Sequence, residues 1–282
     1  MGQIDRSIGA QRVATRLGEL AVRVHGERDD GPVAVLWPSM FVDGHTYDRL
    51  VPLLGGRRLL VVDGPGLGES DPLDRVSSIE EAAGAATDLL TGTWARDAGI
   101  DGPVDWVGNA FGGHVGYQLA VQPGLLRSLV SISAPPEALT PDLRRQVRLL
   151  LPVLRAFGPV GPVRSAVLAT LLTPASAADP ALRRVVLESL ARPTRRSLAL
   201  AVRSFIAERR DVTALLPRLT LPALFVAGDE RGDWRGEDAR RAAEVAPGAA
   251  VVVLPDAATL VPLEQPARLA AELTSFWVTV EG

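Results

Sequence analysis

Short apolar runs bounded by Gly, Pro or Asp recur along the chain: Val33–Trp37, Leu59–Asp63, Val104–Gly108, Leu129–Ser133, Ala223–Ala227 and Ala250–Leu254. Runs this short and this uniformly apolar predict strands covered on both faces, as parallel strands are. Residues 12–25 read instead as two short strands around Leu17-Gly18, the second of alternating character. Helical periodicity fills 78–97, 112–122, 236–246 and 265–279. Strand and helix therefore alternate, which predicts an α/β fold: a mostly parallel, doubly wound sheet with helices on both faces. The stretch Pro135 to Leu221 breaks the rhythm, with no strand-like run and Arg-rich amphipathic segments broken at Pro152, Gly158-Pro159, Pro174, Pro180 and Pro193. It reads as a helical cap inserted after Ile132, so that 1–134 and 221–282 form the core and 135–220 the cap. Its apolar faces are expected to roof a pocket at the C-terminal strand ends, where open α/β sheets hold ligands.

Composition narrows the function. A length of 282 residues suits one α/β unit with an insertion, and 47% hydrophobic against 22% charged residues suits a packed chain. With 30 cations set among 33 acids and a net charge of −3, no basic stripe is read, and no nucleic-acid partner is expected. The absence of cysteine excludes disulfides, thiolate nucleophiles and cysteine metal sites. Neither a metal nor a cofactor is expected. No apolar run approaches the ~20 residues that span a bilayer, and Met1–Leu20 has no signal-like apolar segment, so a cytoplasmic protein without a membrane partner is expected. All the cations are Arg, a mark of GC-rich bacterial codon supply, and Asn109 is the sole Asn.

The chemistry centres on Val104 to Leu119. There a strand runs through Gly108-Asn109-Ala110-Phe111-Gly112-Gly113 into a helix. Small residues in that spacing frame the G-x-S-x-G elbow, a strained turn that lifts its central side chain to the sheet edge. Here the chain resembles the α/β-hydrolase family, in particular its lid-bearing enol-lactonase, haloperoxidase and epoxide-hydrolase types. Asp63-Gly64-Pro65-Gly66-Leu67-Gly68-Glu69-Ser70 is similar to the family's D-x-x-G-x-G-x-S loop, and Leu254 to Pro266 resembles its C-terminal histidine loop. Asp63 and Ser70 are expected to brace the former loop.

The resemblance carries the fold but not the triad. Ala110 stands where the family places its nucleophile, and Thr259 where it places histidine. In the acid's slot the alignment puts Arg231, with Glu230 or Asp233 brought in by a slip of one or two residues. A count without alignment agrees. The family's order is nucleophile, acid, histidine, yet the histidines are His25, His45 and His114, and none follows position 114. Ser-His-Asp hydrolysis is therefore not expected.

The resemblance also implies an oxyanion hole, from the N–H groups of Phe111 and Ser39. The family's His-Gly at that first loop is replaced by Trp37-Pro38, and proline has no N–H. A hole without a nucleophile suits cyclisation, isomerisation or lyase chemistry. Asp43, His45 and His114 are the candidate acids or bases: the first two lie just beyond Ser39, and His114 shares a helix face with Ala110. The competing reading has Asp43 and His45 capping a helix near Tyr47, and His114 packing under the cap. Trp37, Asn109, Ala110, Arg231 and Thr259 are candidate substrate contacts, and the cap's Arg pairs read as solvated faces. The expected function is cofactor-independent, non-hydrolytic chemistry on a small bacterial metabolite. Two readings stand beside it: a catalytically silent binding protein, and a hydrolase that activates water directly. The expected partner is a small molecule, with a second copy in a homodimer left open.

Overall fold

A computed structural model describes residues 10–28, 30–230, 232 and 234–282. Eight strands form one sheet: β1 (Gln11–Thr15), β2 (Gly18–His25), β3 (Val33–Trp37), β4 (Arg58–Val62), β5 (Val104–Asn109), β6 (Leu126–Ile132), β7 (Ala223–Gly228) and β8 (Ala250–Leu254). Their order is β1-β2-β4-β3-β5-β6-β7-β8. β2 pairs antiparallel with β1 and β4, and every later pairing is parallel. The uniformly apolar runs are thus the parallel strands, and β5 and β7 are buried at every position.

Helices cover both faces. α1 (Ile79–Thr91) opens on a capping box, with Ser78 Oγ accepting from Glu81 N and Glu81 accepting from Ser78 N. α2 (Thr93–Asp97) follows after Gly92, which divides the single helix expected over 78–97. α3 (Phe111–Ala120) leaves β5, and its Val115 shares one buried core with α1, Trp37 and Trp106. On the other face, residues 44–53 and the C-terminal helix bury Tyr47, Leu50, Leu269, Leu273 and Trp277.

Between β6 and β7 the chain is helical. α4 (Pro141–Phe157), α5 (Pro162–Leu171), α6 (Pro174–Ala178), α7 (Pro180–Ala191) and α8 (Arg195–Val202) run in turn, the last into a π-turn over Arg203–Ala207. Thr140, Thr173, Asp179 and Thr194 cap four of them with side-chain oxygens, and proline leads three of these. Pro152 corrects the expected break, because it lies inside α4. Its missing donor falls on an exposed position, where water can serve the freed carbonyl. Beyond the cap come α9 (Gly236–Val245), α10 (Val261–Glu264) and α11 (Pro266–Glu281).

The ends of β3, β5, β6 and β7 meet on one side. Trp37 pairs with Gly108, and Asn109 with Ile132.

Candidate active site

Ala110 sits at the elbow between β5 and α3 with φ 45° and ψ −100°, a conformation that side-chain-bearing residues rarely adopt. Three glycines allow it. A Cβ on Gly113 would lie 2.5 Å from Ala134 Cβ, and one on Gly112 would lie 2.8 Å from the Trp37 carbonyl carbon. On Gly108 it would collide with the Gly112 backbone. The turn is pinned by Ala110 N donating to Ile132 O at 2.7 Å, and Ala110 O accepting from His114 N at 3.0 Å. Strain of this type costs on the order of 1–3 kcal/mol. Ala110→Gly is therefore expected to raise stability by about 1 kcal/mol, after the added freedom of the unfolded chain is subtracted. Urea unfolding measures it, and a loss of stability would mean that the elbow is not strained.

The elbow faces a small chamber of about 100 Å³, which Ser39, Ala110, Phe111, His114 and Thr259 all line. Five of the residues singled out from the sequence therefore share one cavity. Ser133, Thr170, Phe205, Ile206 and Arg209 also line it. The cap residues among them carried no motif, because each position depends on how α5 and the π-turn pack. Phe205 stacks on Phe111 with ring centroids 4.5 Å apart. Phe41, Leu139, Thr170 and Ile206 are shared with a second, apolar chamber of about 300 Å³ between α4 and α5.

His114 is the only histidine in the chamber lining. Its Nε2 lies 2.8 Å from the Pro135 carbonyl, which requires that nitrogen to carry the proton. Nδ1 is then an acceptor, and it is buried without a hydrogen-bond partner. Burial, helped by the charge of Arg209, pushes the pKa down to about 3, so the ring is neutral at physiological pH.

Asp43 and His45 do not enter the chamber, which corrects their placement as catalytic candidates. Asp43 Oδ1 caps the short helical turn Gly44–Tyr47 by accepting from His45 N, and Oδ2 pairs with Arg192 of the cap. His45 points outward and bonds Asp48 at 2.8 Å, and that bond raises its pKa. The positive φ of Phe41 (68°) turns the loop so that Met40 and Phe41 face the chamber and Asp43 faces the cap junction. Asp63, expected to brace its loop, accepts from Gly44 N at 2.7 Å and Glu69 N at 2.8 Å. Burial and the nearby Asp43 push its pKa up to about 6. Ser70 completes the brace by donating to Asp63 O at 2.7 Å.

Two expected substrate contacts are also corrected. Trp37 is fully buried beneath the elbow against Trp106 and Phe111, and does not line the chamber. Asn109 turns away from it, donating to Thr259 O at 2.8 Å and Ile132 O at 3.2 Å. It thereby holds the loop after β8 against the elbow. Arg231 and its alternative Asp233 lie outside the described residues, and Glu230 is exposed. Even so, a Cβ on Gly232 would lie 3.8 Å from Thr259 Oγ1, so the loop after β7 adjoins Thr259.

Thr259 is also where the cap is fastened. Its Oγ1 donates to Thr170 O at 3.0 Å, and Leu260 N donates to Leu171 O at 3.1 Å. Glu264, which drew no attention in the sequence, is buried and accepts from Thr173 N and Ala258 N, each at 2.8 Å. On the opposite side Ser197 Oγ joins Leu73 N and Gly66 O, while Ser204 Oγ accepts from Ser77 N. Among the described residues no cluster of three His, Asp or Glu could hold a metal ion.

Comparison with known proteins fits this geometry. A thermophilic esterase from Thermogutta terrifontis superposes with a TM-score of 0.85 at 24% identity, covering 97% of this chain and 99% of that one. The enol-lactonase from Burkholderia xenovorans LB400 gives 0.84 at 21% identity, over 95% and 100%. A hydrolase from Pseudomonas aeruginosa PA01 gives 0.82 at 23%, over 98% and 99%. Among curated proteins none matches the sequence. The model of the alpha/beta hydrolase family matches residues 24–272, which takes in every strand from β3 to β8, the elbow and the whole helical insertion. The strand order, the strained turn after β5 and this match together make the chain a member of the alpha/beta hydrolase family.

Proposed function

We propose that this chain is a non-hydrolytic member of the family, one that captures a small, mostly apolar carbonyl compound beneath its cap. The observation that carries the reading is what faces Ala110. Among the described residues His114 is the one imidazole or carboxylate that lines the chamber, beside the hydroxyls of Ser39, Ser133, Thr170 and Thr259, and its proton is held by Pro135 with a pKa of about 3. A base that weak contributes little to proton abstraction near neutrality. A methyl at the elbow cannot attack a carbonyl, and Thr259 spends its hydroxyl proton on the cap. What remains supports binding. The N–H of Phe111 leads α3 at the strained turn, His114 Nδ1 accepts, and the apolar chamber houses the body of the ligand.

Non-hydrolytic catalysis, of cyclisation, isomerisation or lyase type, is the second reading. The retained strain at Ala110 favours it, because that turn aims the Phe111 N–H at a developing oxyanion in the family's chemistry. Direct activation of water is less well supported, since Asp43 and His45 lie outside the chamber.

A panel of activated esters, lactones and epoxides tests the reading, offered to the native chain and to an Ala110→Ser, Thr259→His double variant. The native chain is expected to turn over none of them, while intact lactones or esters raise its thermal midpoint by mass action. The double variant is expected to gain hydrolysis. Turnover by the native chain would sink the proposal and return His114 to the role of base.

A further inference from the structure

The chain's charge is divided unevenly between its two parts. Residues 135–220 hold 14 of the 30 arginines but only 6 of the 33 acids, so the cap is net positive by eight and the remainder net negative by 11. The interleaving read from whole-chain totals is an average over two oppositely charged regions. Such asymmetry points to an anionic partner for the positive part.

The same cap leaves a row of apolar side chains in solvent. Leu149, Val153 and Phe157 follow at i, i+4 and i+8 on α4 and are 67%, 41% and 64% exposed, with Leu150 beside them at 43%. That spacing sets them in one stripe along the helix. Val147, Leu151 and Leu154 form the neighbouring stripe and pack into the core. At 100° per residue, Arg145 borders the exposed stripe about 40° beyond Leu149, and Arg148 and Arg155 follow about 100° and 120° beyond it on the exposed side of the helix. Arg145 and Arg155 make no ion pair among the described residues, and Arg148 pairs with Glu208 at 3.1 Å. Arg196 and Arg203 extend this face, lining an open groove with Arg148 and Arg155 in which Glu208 is the one acid among the described residues.

An exposed apolar stripe bordered by arginines is the pattern of a helix that lies in a bilayer interface, the apolar side chains at the acyl boundary and the cations among headgroups. A second copy fits poorly, because pairing would bring two arginine-rich faces together. Nucleic acid would leave Leu149, Val153 and Phe157 in water. We infer that α4 and its flanking arginines dock the protein, cap downward, on an anionic phospholipid surface. No helix among the described residues is long and apolar enough to cross a membrane, so the contact is peripheral. The apolar chamber lies beside the stripe, with Gln146 and Leu150 of α4 in its wall. An apolar ligand dissolved in the bilayer thus meets the chamber at the docked face.

Co-sedimentation of the full chain tests the inference, using phosphatidylcholine vesicles with and without about 30% phosphatidylglycerol. Binding is expected only to the anionic vesicles, and is expected to weaken at high salt. Arg145→Gln with Arg155→Gln should reduce it about 30-fold at low salt, from about a factor of five per charge. Leu149→Gln with Phe157→Gln should reduce it about tenfold or more. Both pairs lie on the surface and should keep the native thermal midpoint, so a loss of binding is not a loss of folding. Absence of binding to anionic vesicles overturns the inference, as does equal binding to both vesicle types. So does a dimer, detected by light scattering, that dissociates in the Leu149 and Phe157 variant. Salt-sensitive binding to nucleic acid that is indifferent to Leu149 and Phe157 overturns it as well.

Discussion

Asp105→Ala is expected to cost about 3–5 kcal/mol of folding stability, the range for breaking a buried ion pair from one side. Asp105 is the second residue of β5 and has no exposure. Its carboxylate accepts from Arg57 Nη1 at 2.6 Å, Arg127 Nε at 3.1 Å and Ser128 Oγ at 2.6 Å. Arg57 is itself buried, stacks 4.0 Å over the Trp277 ring and also pairs with Glu281 at the end of α11. Removing the carboxylate leaves that guanidinium buried with only Glu281, which is partly exposed. The cost is the stranded charge more than the lost bonds. Urea unfolding should show the midpoint falling with little change in slope. An Asp105→Leu, Arg57→Met pair should recover part of the loss, since it removes the buried guanidinium with its carboxylate and leaves only the partly exposed Arg127 and the Ser128 hydroxyl without that acceptor. A cost under about 1 kcal/mol for Asp105→Ala would show that water or Glu281 relieves Arg57.

Asp105 also shows how much the sequence reveals. Val104–Gly108 reads as a buried strand from its apolar neighbours, and it is one. The single charge inside it gives no sign that Arg57 arrives from the bend before β4 and Arg127 from β6, because ion pairs across a sheet have no fixed spacing. The elbow is different. Its geometry depends on backbone closeness, so Gly108, Gly112 and Gly113 announce it at fixed positions. The loop after β3 offered two readings of Asp43 and His45, and one backbone angle at Phe41 decides between them. No residue pattern encodes that angle, since Phe is not a residue that favours positive φ. The cap's charge was visible in the sequence once counted by segment, and hidden in the total.

Gly112→Ala should be the most damaging of these substitutions, abolishing cooperative folding or costing more than about 4 kcal/mol. By helix propensity alone the change should help, since alanine is favoured over glycine by about 1 kcal/mol inside a helix. Packing reverses the sign. The new Cβ would lie 2.8 Å from the Trp37 carbonyl carbon and 2.9 Å from its ring Cδ1, and closer still to the carbonyl oxygen. Neither side can yield. Trp37 is wholly buried at the end of β3, paired with Gly108, and its carbonyl accepts from the Tyr47 hydroxyl at 2.8 Å. Gly112 O in turn accepts from Trp106 Nε1 at 2.9 Å. Relief would require α3 to move off the sheet, carrying Phe111 and His114 out of the chamber. Gly102→Ala is the control, because a Cβ there meets nothing within 4 Å and its φ is not positive. It should change stability by less than about 0.5 kcal/mol. Should Gly112→Ala fold with near-native stability, the elbow would be able to relax. The positions of the Phe111 N–H and of His114, on which the proposed ligand capture rests, would then no longer be fixed by the fold.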